Sequence, residues 1–236
     1  MSSDHVTAKY VGFCDVLGFS SAVLNNFDST VALYRQFQQD VREWPSPTRA
    51  EVSVYSDSIL VVSEDLPAVL HTVVSLNWAT LLHGWLIRGG VAHGQYWESR
   101  ENGNLFVVSD ALVKAAHLEK TVKVPAVVVS PEISLGIEAW VPRFEHGPFK
   151  CPLLHFQGHT VVNPFNSYWF ASAIARVRRQ LEADPEHGNK YNWFLALAEA
   201  VARDDLLIPE SALAKMLELG VIEQRAPNAE PPAHAG

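Results

Sequence analysis

The feature that most constrains the fold is an apolar strand that ends in an acidic residue and turns at once into a helix. Residues 10–16 form a short apolar run with Asp15 near its end, which predicts a buried strand. Gly18 lies in the tight turn that follows, and apolar residues then recur at helical spacing over residues 20–44. The chain therefore begins with a strand, a turn and one predicted helix, with a carboxylate at the end of the strand.

A second acidic residue lies at the tip of a predicted hairpin. Residues 51–55 and 59–63 are rich in β-branched and apolar side chains, as strands usually are. Only Ser56, Asp57 and Ser58 separate them, and a link of this length is suited to a hairpin. Asp57 is therefore predicted to project from the hairpin tip.

The order of the elements predicts an α+β architecture. The hairpin is followed by a helix at 67–83, strands at 85–96 and 105–108, a helix at 110–119 and a strand at 126–130. The first six elements run β, α, β, β, α, β, the order of a ferredoxin-like sheet with its helices packed on one face. Such a sheet places the first strand beside the hairpin, so that Asp15 and Asp57 become neighbours.

The second part of the chain is predicted to be mostly helical. Residues 158–166 are typical of a loop, and helical patterns follow at 167–183, 190–202 and 209–219, the last after a proline start signal. The end of the chain is rich in Pro and Ala without periodicity, so we expect it to be disordered. We predict a core at 1–165, a helical extension at 166–225 packed on the same domain, and a tail at 226–236.

Composition excludes several classes of partner. The 236 residues carry 18 basic and 26 acidic side chains, a net charge of -8, which argues against a surface that coats nucleic acid. No apolar stretch reaches the roughly 18 residues that a membrane helix needs. The two cysteines form neither a disulfide framework nor a CxxC site, so we expect a cytoplasmic protein.

Each of the two acids has a simple structural explanation when taken alone. Asp15 could cap the following helix, and Asp57 could be an ordinary turn residue. Two carboxylates that lie together repel each other unless a cation lies between them, and Mg²⁺ is usually held by one or two carboxylates together with phosphate oxygens. The pair therefore indicates a metal site beside a phosphate.

Three motifs carry a resemblance to a known family. The segments YVGFCDVLGFS, VSVYSDSILV and LIRGGVAHGQ resemble, in order and spacing, the strand motifs of class III adenylyl and guanylyl cyclases. The segment SDALVKAAHLEKTVKVPAVVVSP resembles the helix ending in Leu-Glu and the strand after it, so that the likeness covers residues 10–131. Three shorter segments, FCDVLGFS, YSDSI and IRGGVAHG, are more similar still to the pyrimidine cyclases of bacterial Pycsar antiphage systems.

The resemblance implies a role for specific residues. Asp15 and Asp57, with Val16 beside them, match the positions that hold two Mg²⁺ or Mn²⁺ ions. The matching triphosphate-binding turn is formed by Val16, Leu17, Gly18, Phe19 and Ser20. Tyr55 is expected either in the core or against the base, and Lys150 lies where such cyclases often have a lysine that contacts phosphate.

The chain departs from the family pattern on the helix before Leu-Glu. Purine cyclases usually carry an Asn and an Arg there, four residues apart, where this chain has Val113 and His117. His117, if protonated, could replace the arginine that stabilises the transition state, although a lone histidine is more often structural. Arg88, before the paired glycines, is expected to form an internal ion pair or to face a partner subunit.

The function implied is conversion of UTP to 3′,5′-cyclic UMP and pyrophosphate by a homodimer, with the product activating a separate antiphage effector. One alternative is a CTP-specific cyclase that makes cyclic CMP. Another is a noncatalytic nucleotide-binding regulator on the same fold. A diguanylate-cyclase-like enzyme shares the two-metal chemistry, but this chain lacks the GGDEF hairpin.

Overall fold

The computed structural model describes residues 6–43, 50–140, 152–203 and 207–220. The strands are β1 (Thr7–Val16), β2 (Glu51–Tyr55), β3 (Ser58–Ser63), β4 (Ile87–Glu101), β5 (Asn104–Ser109), β6 (Val127–Val129), β7 (Leu153–Phe156) and β8 (His159–Val162). The helices are α1 (Phe19–Asn25), α2 (Phe27–Glu43), α3 (Leu66–Leu82), α4 (Asp110–Thr121), α5 (Phe170–Ala183), α6 (Gly188–Ala202) and α7 (Glu210–Glu218).

The strands form one mixed sheet in the order β2-β3-β1-β4-β6-β8-β7, and β5 pairs with the second half of β4. The first four positions of this order are those of the ferredoxin-like βαββαβ unit, with α1 and α2 in the first crossover and α3 in the second. The predicted α+β fold is therefore confirmed. β1 lies between β3 and β4 and is antiparallel to both.

Helices cover both faces of this sheet, whereas the sequence predicted helices on one face. A Cβ built on Gly12 would point at Val69 and Val73 of α3, and one built on Gly90 would meet Ala115 of α4. Gly12 pairs with Val91, the neighbour of Gly90, so the two glycines point to opposite faces. The second face needs a cover because it is also apolar, with Val11 and Val62 packed against Ala111 of α4.

The helix predicted over residues 20–44 is divided into α1 and α2 at Asn26. Its φ of -155° and ψ of 81° are not helical, and its side-chain Oδ1 accepts a hydrogen bond from the backbone N–H of Ser29 at 3.2 Å. Asn26 therefore caps the start of α2, as asparagine often does. Because α2 begins again almost at once, the apolar spacing alone did not reveal the break.

The loop predicted at 158–166 was wrong for its first half, because β8 begins at His159. Gln157 and Gly158 both have positive φ, 49° and 80°, which is the geometry of a tight two-residue hairpin turn. The turn pairs β8 with β7, a strand that the sequence did not predict, and buries Val161. Short strands flanked by histidines lack the apolar length by which the other strands were recognised.

The predicted C-terminal helices are present as α5, α6 and α7. α5 and α6 pack against the β6–β8 side of the sheet, with Val177 and Leu197 in one cluster with Val128 and Val161. The domain boundaries at 165 and 225 stay predictions, and the tail at 226–236 lies outside the described residues. Among the described helices, none is long and apolar enough to cross a membrane.

Candidate active site

Asp15 is placed by the register of three strands. It is the penultimate residue of β1, paired with Ser58 of β3 on one side and with Arg88 of β4 on the other. Alternation along β1 directs Val11 and Asp15 to the face covered by α4, while Cys14 points into the core on the α3 side. The carboxylate is thus fixed at the end of a central strand, beside the start of α1.

Asp57 is held beside that strand end by hydrogen bonds to its hairpin. Its backbone carbonyl accepts a hydrogen bond from the N–H of Val16 at 2.9 Å. The hydroxyl of Tyr34 on α2 donates to the carbonyl of Ser56 at 2.8 Å. Ser56 has a left-handed backbone with φ of 56°, an uncommon conformation for a residue other than glycine. The hairpin tip is therefore held beside β1 by one backbone hydrogen bond from Val16 and one side-chain hydrogen bond from Tyr34.

The two carboxylates repel each other electrostatically. The pKa of Asp15 lies above its ordinary value, first because the carboxyl is partly buried and second because of the Asp57 charge, while Arg88 opposes both effects. A carboxyl whose pKa is raised by folding stabilises the fold at acid pH, and this stabilisation is lost as the pH rises through the folded pKa. At neutral pH the ionised pair therefore destabilises the fold, and a bound cation would relieve the repulsion.

An ion-pair chain extends from Asp15 into the protein. Arg88 Nη2 lies 3.1 Å from Asp15 Oδ2 and 2.7 Å from Glu119 Oε1 on α4. The Glu119 side chain is only 6% exposed, and its Oε1 has no hydrogen-bond partner of good geometry, so the charge of Arg88 is its main compensation. The internal pairing expected for Arg88 is present. The role of Glu119 was not predicted, because nothing in its sequence neighbourhood shows that α4 faces Asp15.

The turn after β1 leaves part of its backbone for a ligand. The N–H of Val16 is bonded to Asp57 and that of Leu17 donates to the carbonyl of Leu86 at 2.8 Å. Gly18 adopts the left-handed conformation with φ of 79°, and no side chain caps the start of α1. Of the five residues predicted to bind triphosphate, Gly18, Phe19 and Ser20 are thus the better candidates for amide donors. The Phe19 ring is buried against Trp85, so only its backbone could serve.

The remaining predicted site residues have mixed outcomes. The Tyr55 side chain is 62% exposed, which excludes the expected core position and leaves it at the surface next to the hairpin tip. His117 is exposed on α4, two residues before Glu119. Lys150 lies outside the described residues.

The donor set fits a divalent ion that keeps part of its coordination for water and substrate. Within the described residues, no group of three or more His, Cys, Asp or Glu side chains is arranged to enclose a metal. Asp15 and Asp57 form a pair of hard oxygen donors, and Mg²⁺ is typically bound by one or two carboxylates plus substrate phosphates rather than by an all-protein cage. These two residues would therefore hold the ion, with Val16 adjacent in the chain.

Comparison with known proteins gives structural similarity only. No family model and no curated protein matches the chain. The adenylyl cyclase CyaB from P. aeruginosa is 12% identical at a TM-score of 0.46, over 54% of this chain and 79% of that chain. The guanylyl cyclase Cya2 is 12% identical at 0.47, over 69% and 93%, and a bacterial light-regulated adenylyl cyclase is 16% identical at 0.47, over 74% and 98%. At this level of similarity, none of these structures assigns a role to a residue of this chain.

Proposed function

We propose that the chain is a metal-dependent nucleotidyl cyclase that closes the ribose 3′-hydroxyl of a nucleoside triphosphate onto its α-phosphate and releases pyrophosphate. The observation that carries the proposal is the position of Asp15 and Asp57 at the ends of adjoining strands, next to a glycine turn that opens a helix. In more specific terms, we propose a uridylate cyclase that makes cyclic UMP, with a cytidylate cyclase that makes cyclic CMP from CTP as the alternative. In both cases the product would act on a separate antiphage effector.

The chain's own residues would bind and orient the substrate. Asp15 and Asp57 would hold two Mg²⁺ or Mn²⁺ ions, which when bound supply positive charge for the triphosphate and acidify the 3′-hydroxyl. The amides of Gly18 to Ser20 would donate to phosphate oxygens at the start of α1. Tyr55 would contact the base and Lys150 a phosphate. His117, from the exposed side of α4, would supply the cation for the transition state.

Incubation with each of the four nucleoside triphosphates and Mn²⁺ tests this activity. We expect release of pyrophosphate and one cyclic mononucleotide, with UTP the preferred substrate, because the motifs resemble those of pyrimidine cyclases. Products would be separated by chromatography against cyclic and linear standards. Tight binding of metal nucleotide by calorimetry without any pyrophosphate would instead support the noncatalytic regulator, and a linear or cyclic dinucleotide would support the diguanylate-cyclase-like reaction.

We also propose that two copies of the chain assemble into a homodimer. Phe106 and Val108, two residues apart on β5, are both more than half exposed. Large apolar side chains clustered at one surface favour association. Alternation along β5 places Phe106 and Val108 on the same face of the strand.

Light scattering after gel filtration should give twice the chain mass of 26.1 kDa. Val108→Glu should shift the protein towards the monomer, because the dimer would have to bury a charge. Leu219→Glu, which changes a leucine beside α7 that is also more than half exposed, is the matched control and should leave the mass unchanged. A protein that is monomeric and fully active at every concentration tested would contradict the dimer.

A further inference from the structure

A cavity of about 580 Å³ lies between the β6–β8 side of the sheet, the end of α4, and α7, and neither Asp15 nor Asp57 lines it. Its volume is within the range of roughly 300–1,000 Å³ that small-molecule sites occupy. Among the described residues, none of those assigned above to metal or substrate lines it. The proposed cyclase reaction therefore assigns no role to this cavity.

The floor and walls of the cavity are apolar. They include Leu118 in the last turn of α4, Val122 just after that helix, Val128 from β6, and Ile133, Ile137 and Trp140 from the segment after β6. Trp140 is almost fully buried, so its indole forms a fixed wall. An apolar or aromatic body would be desolvated against this surface, which is the main source of affinity in such pockets.

The polar groups that line the cavity are basic or neutral. Lys215 on α7 and His155 and His159 on the β7–β8 hairpin contribute nitrogen groups, and none of the described lining residues is acidic. Two of the acids adjacent in sequence to lining residues are engaged elsewhere: Glu132 Oε2 lies 3.1 Å from Lys114 Nζ, and Glu119 Oε1 lies 2.7 Å from Arg88 Nη2. Lys215 supplies a positive charge and the two histidines supply nitrogen donors, so the rim favours a negatively charged ligand.

The elements that carry the basic groups are held together by the fold. The backbone N–H of His155 donates to the carbonyl of Leu207 at 2.7 Å, which ties the segment leading into α7 to strand β7. The His155 ring lies 3.4 Å from the hydroxyl of Thr160, across the hairpin. α7 is anchored in the same region by Met216, which is buried in the main core. The cavity is thus bounded by two elements that are joined to each other.

We propose that this cavity binds a small organic anion with an apolar or aromatic body, its charge directed to Lys215, His155 and His159. The apolar walls would receive the body and the basic rim the charge. The proposal does not depend on the cyclase reaction, because the cavity shares no residue with the site of Asp15 and Asp57.

Two dyes of the same shape test the role of charge with the full chain. Anilinonaphthalene sulfonate has an aromatic body and one negative charge, and phenylnaphthylamine is its uncharged parent. Both become fluorescent in apolar surroundings, so each can be titrated directly. We expect the anionic dye to bind about tenfold more tightly, as expected when a charged group gains charge-assisted contacts in a partly dry site.

Lys215→Gln should weaken binding of the anionic dye about threefold to fivefold and leave the uncharged dye unchanged. Lys190→Gln on α6, which does not line the cavity, is the matched control and should change neither. Ala212→Trp, which fills the cavity from α7, should abolish binding of both dyes, with circular dichroism to show that the helices remain. Equal affinity for the two dyes, or binding that survives both Lys215→Gln and Ala212→Trp, would overturn the proposal.

Discussion

Asp57→Asn should lose at least about 100-fold in turnover while the folded protein becomes equally or more stable. The amide keeps the shape of the side chain but removes the charge that a cation needs, and loss of a preorganised electrostatic group commonly has an effect of this size. The hairpin should persist, because it is held by the carbonyls of Asp57 and Ser56, which the substitution leaves in place.

The gain in stability follows from the pKa of Asp15. The charge of Asp57 is one of the causes that raise the pKa of Asp15 in the folded protein. Removing that charge brings the folded pKa of Asp15 nearer its ordinary value, and this lessens the destabilisation of the fold at neutral pH. Pyrophosphate release and urea unfolding in metal-free buffer would measure the two effects. Asp28→Asn, at an exposed acid in the first turn of α2, is the control: it should keep its turnover and should gain no stability, because an acid at a helix N-terminus is stabilising. Full activity of Asp57→Asn would rule out a metal role for this residue.

Arg88→Met should lower the free energy of unfolding by about 3 kcal/mol. It leaves the nearly buried Glu119 without its cation and removes the only cation paired with Asp15 among the described residues. Breaking a buried ion pair from one side commonly destabilises by this amount, because the remaining charge stays in a site of low polarity. Arg88 is about 29% exposed, so water will offset part of the loss.

A double variant distinguishes the effect of Arg88 on stability from its effect on turnover. Arg88→Met with Glu119→Leu removes both charges and should recover most of the stability, since apolar residues often replace a buried pair without loss. It should not recover turnover, because Asp15 would still lack the guanidinium that orients it. Arg100→Met, at a pair in which Arg100 and Glu51 are both more than half exposed, should change stability by less than about 1 kcal/mol. If Arg88→Met were as mild as Arg100→Met, the ion-pair chain would have no structural importance.

Much of the fold was predictable from the sequence because its main elements are long and apolar. The strand before Gly18, the hairpin around Asp57 and the helix before Gly84 each carry a period or a turn signal of their own. Features that depend on a few residues were missed: the break at Asn26 and the strand that begins at His159. In both, a local interaction that apolar spacing does not report determines the backbone: the Asn26 cap in one, and the two-residue turn at Gln157 and Gly158 in the other.

The site was predictable only in part, for a related reason. Strand order is enough to place Asp15 next to Asp57, so the acid pair followed from element order alone. The pairing of Arg88 with Glu119 depends on which face of the sheet α4 covers, and the position of Tyr55 depends on how far the hairpin extends into solvent. Neither is encoded in the neighbouring residues.

The close packing of α4 gives this site a mechanical property. A methyl group at Gly90 would lie 2.5 Å from the carbonyl oxygen of Ala115, so the helix rests directly on the strand without an intervening layer of side chains. Interiors packed in this way resist compression and transmit displacement. Because Glu119 on α4 contacts Arg88, which contacts Asp15, we expect a displacement of α4 to move the carboxylate at the end of β1.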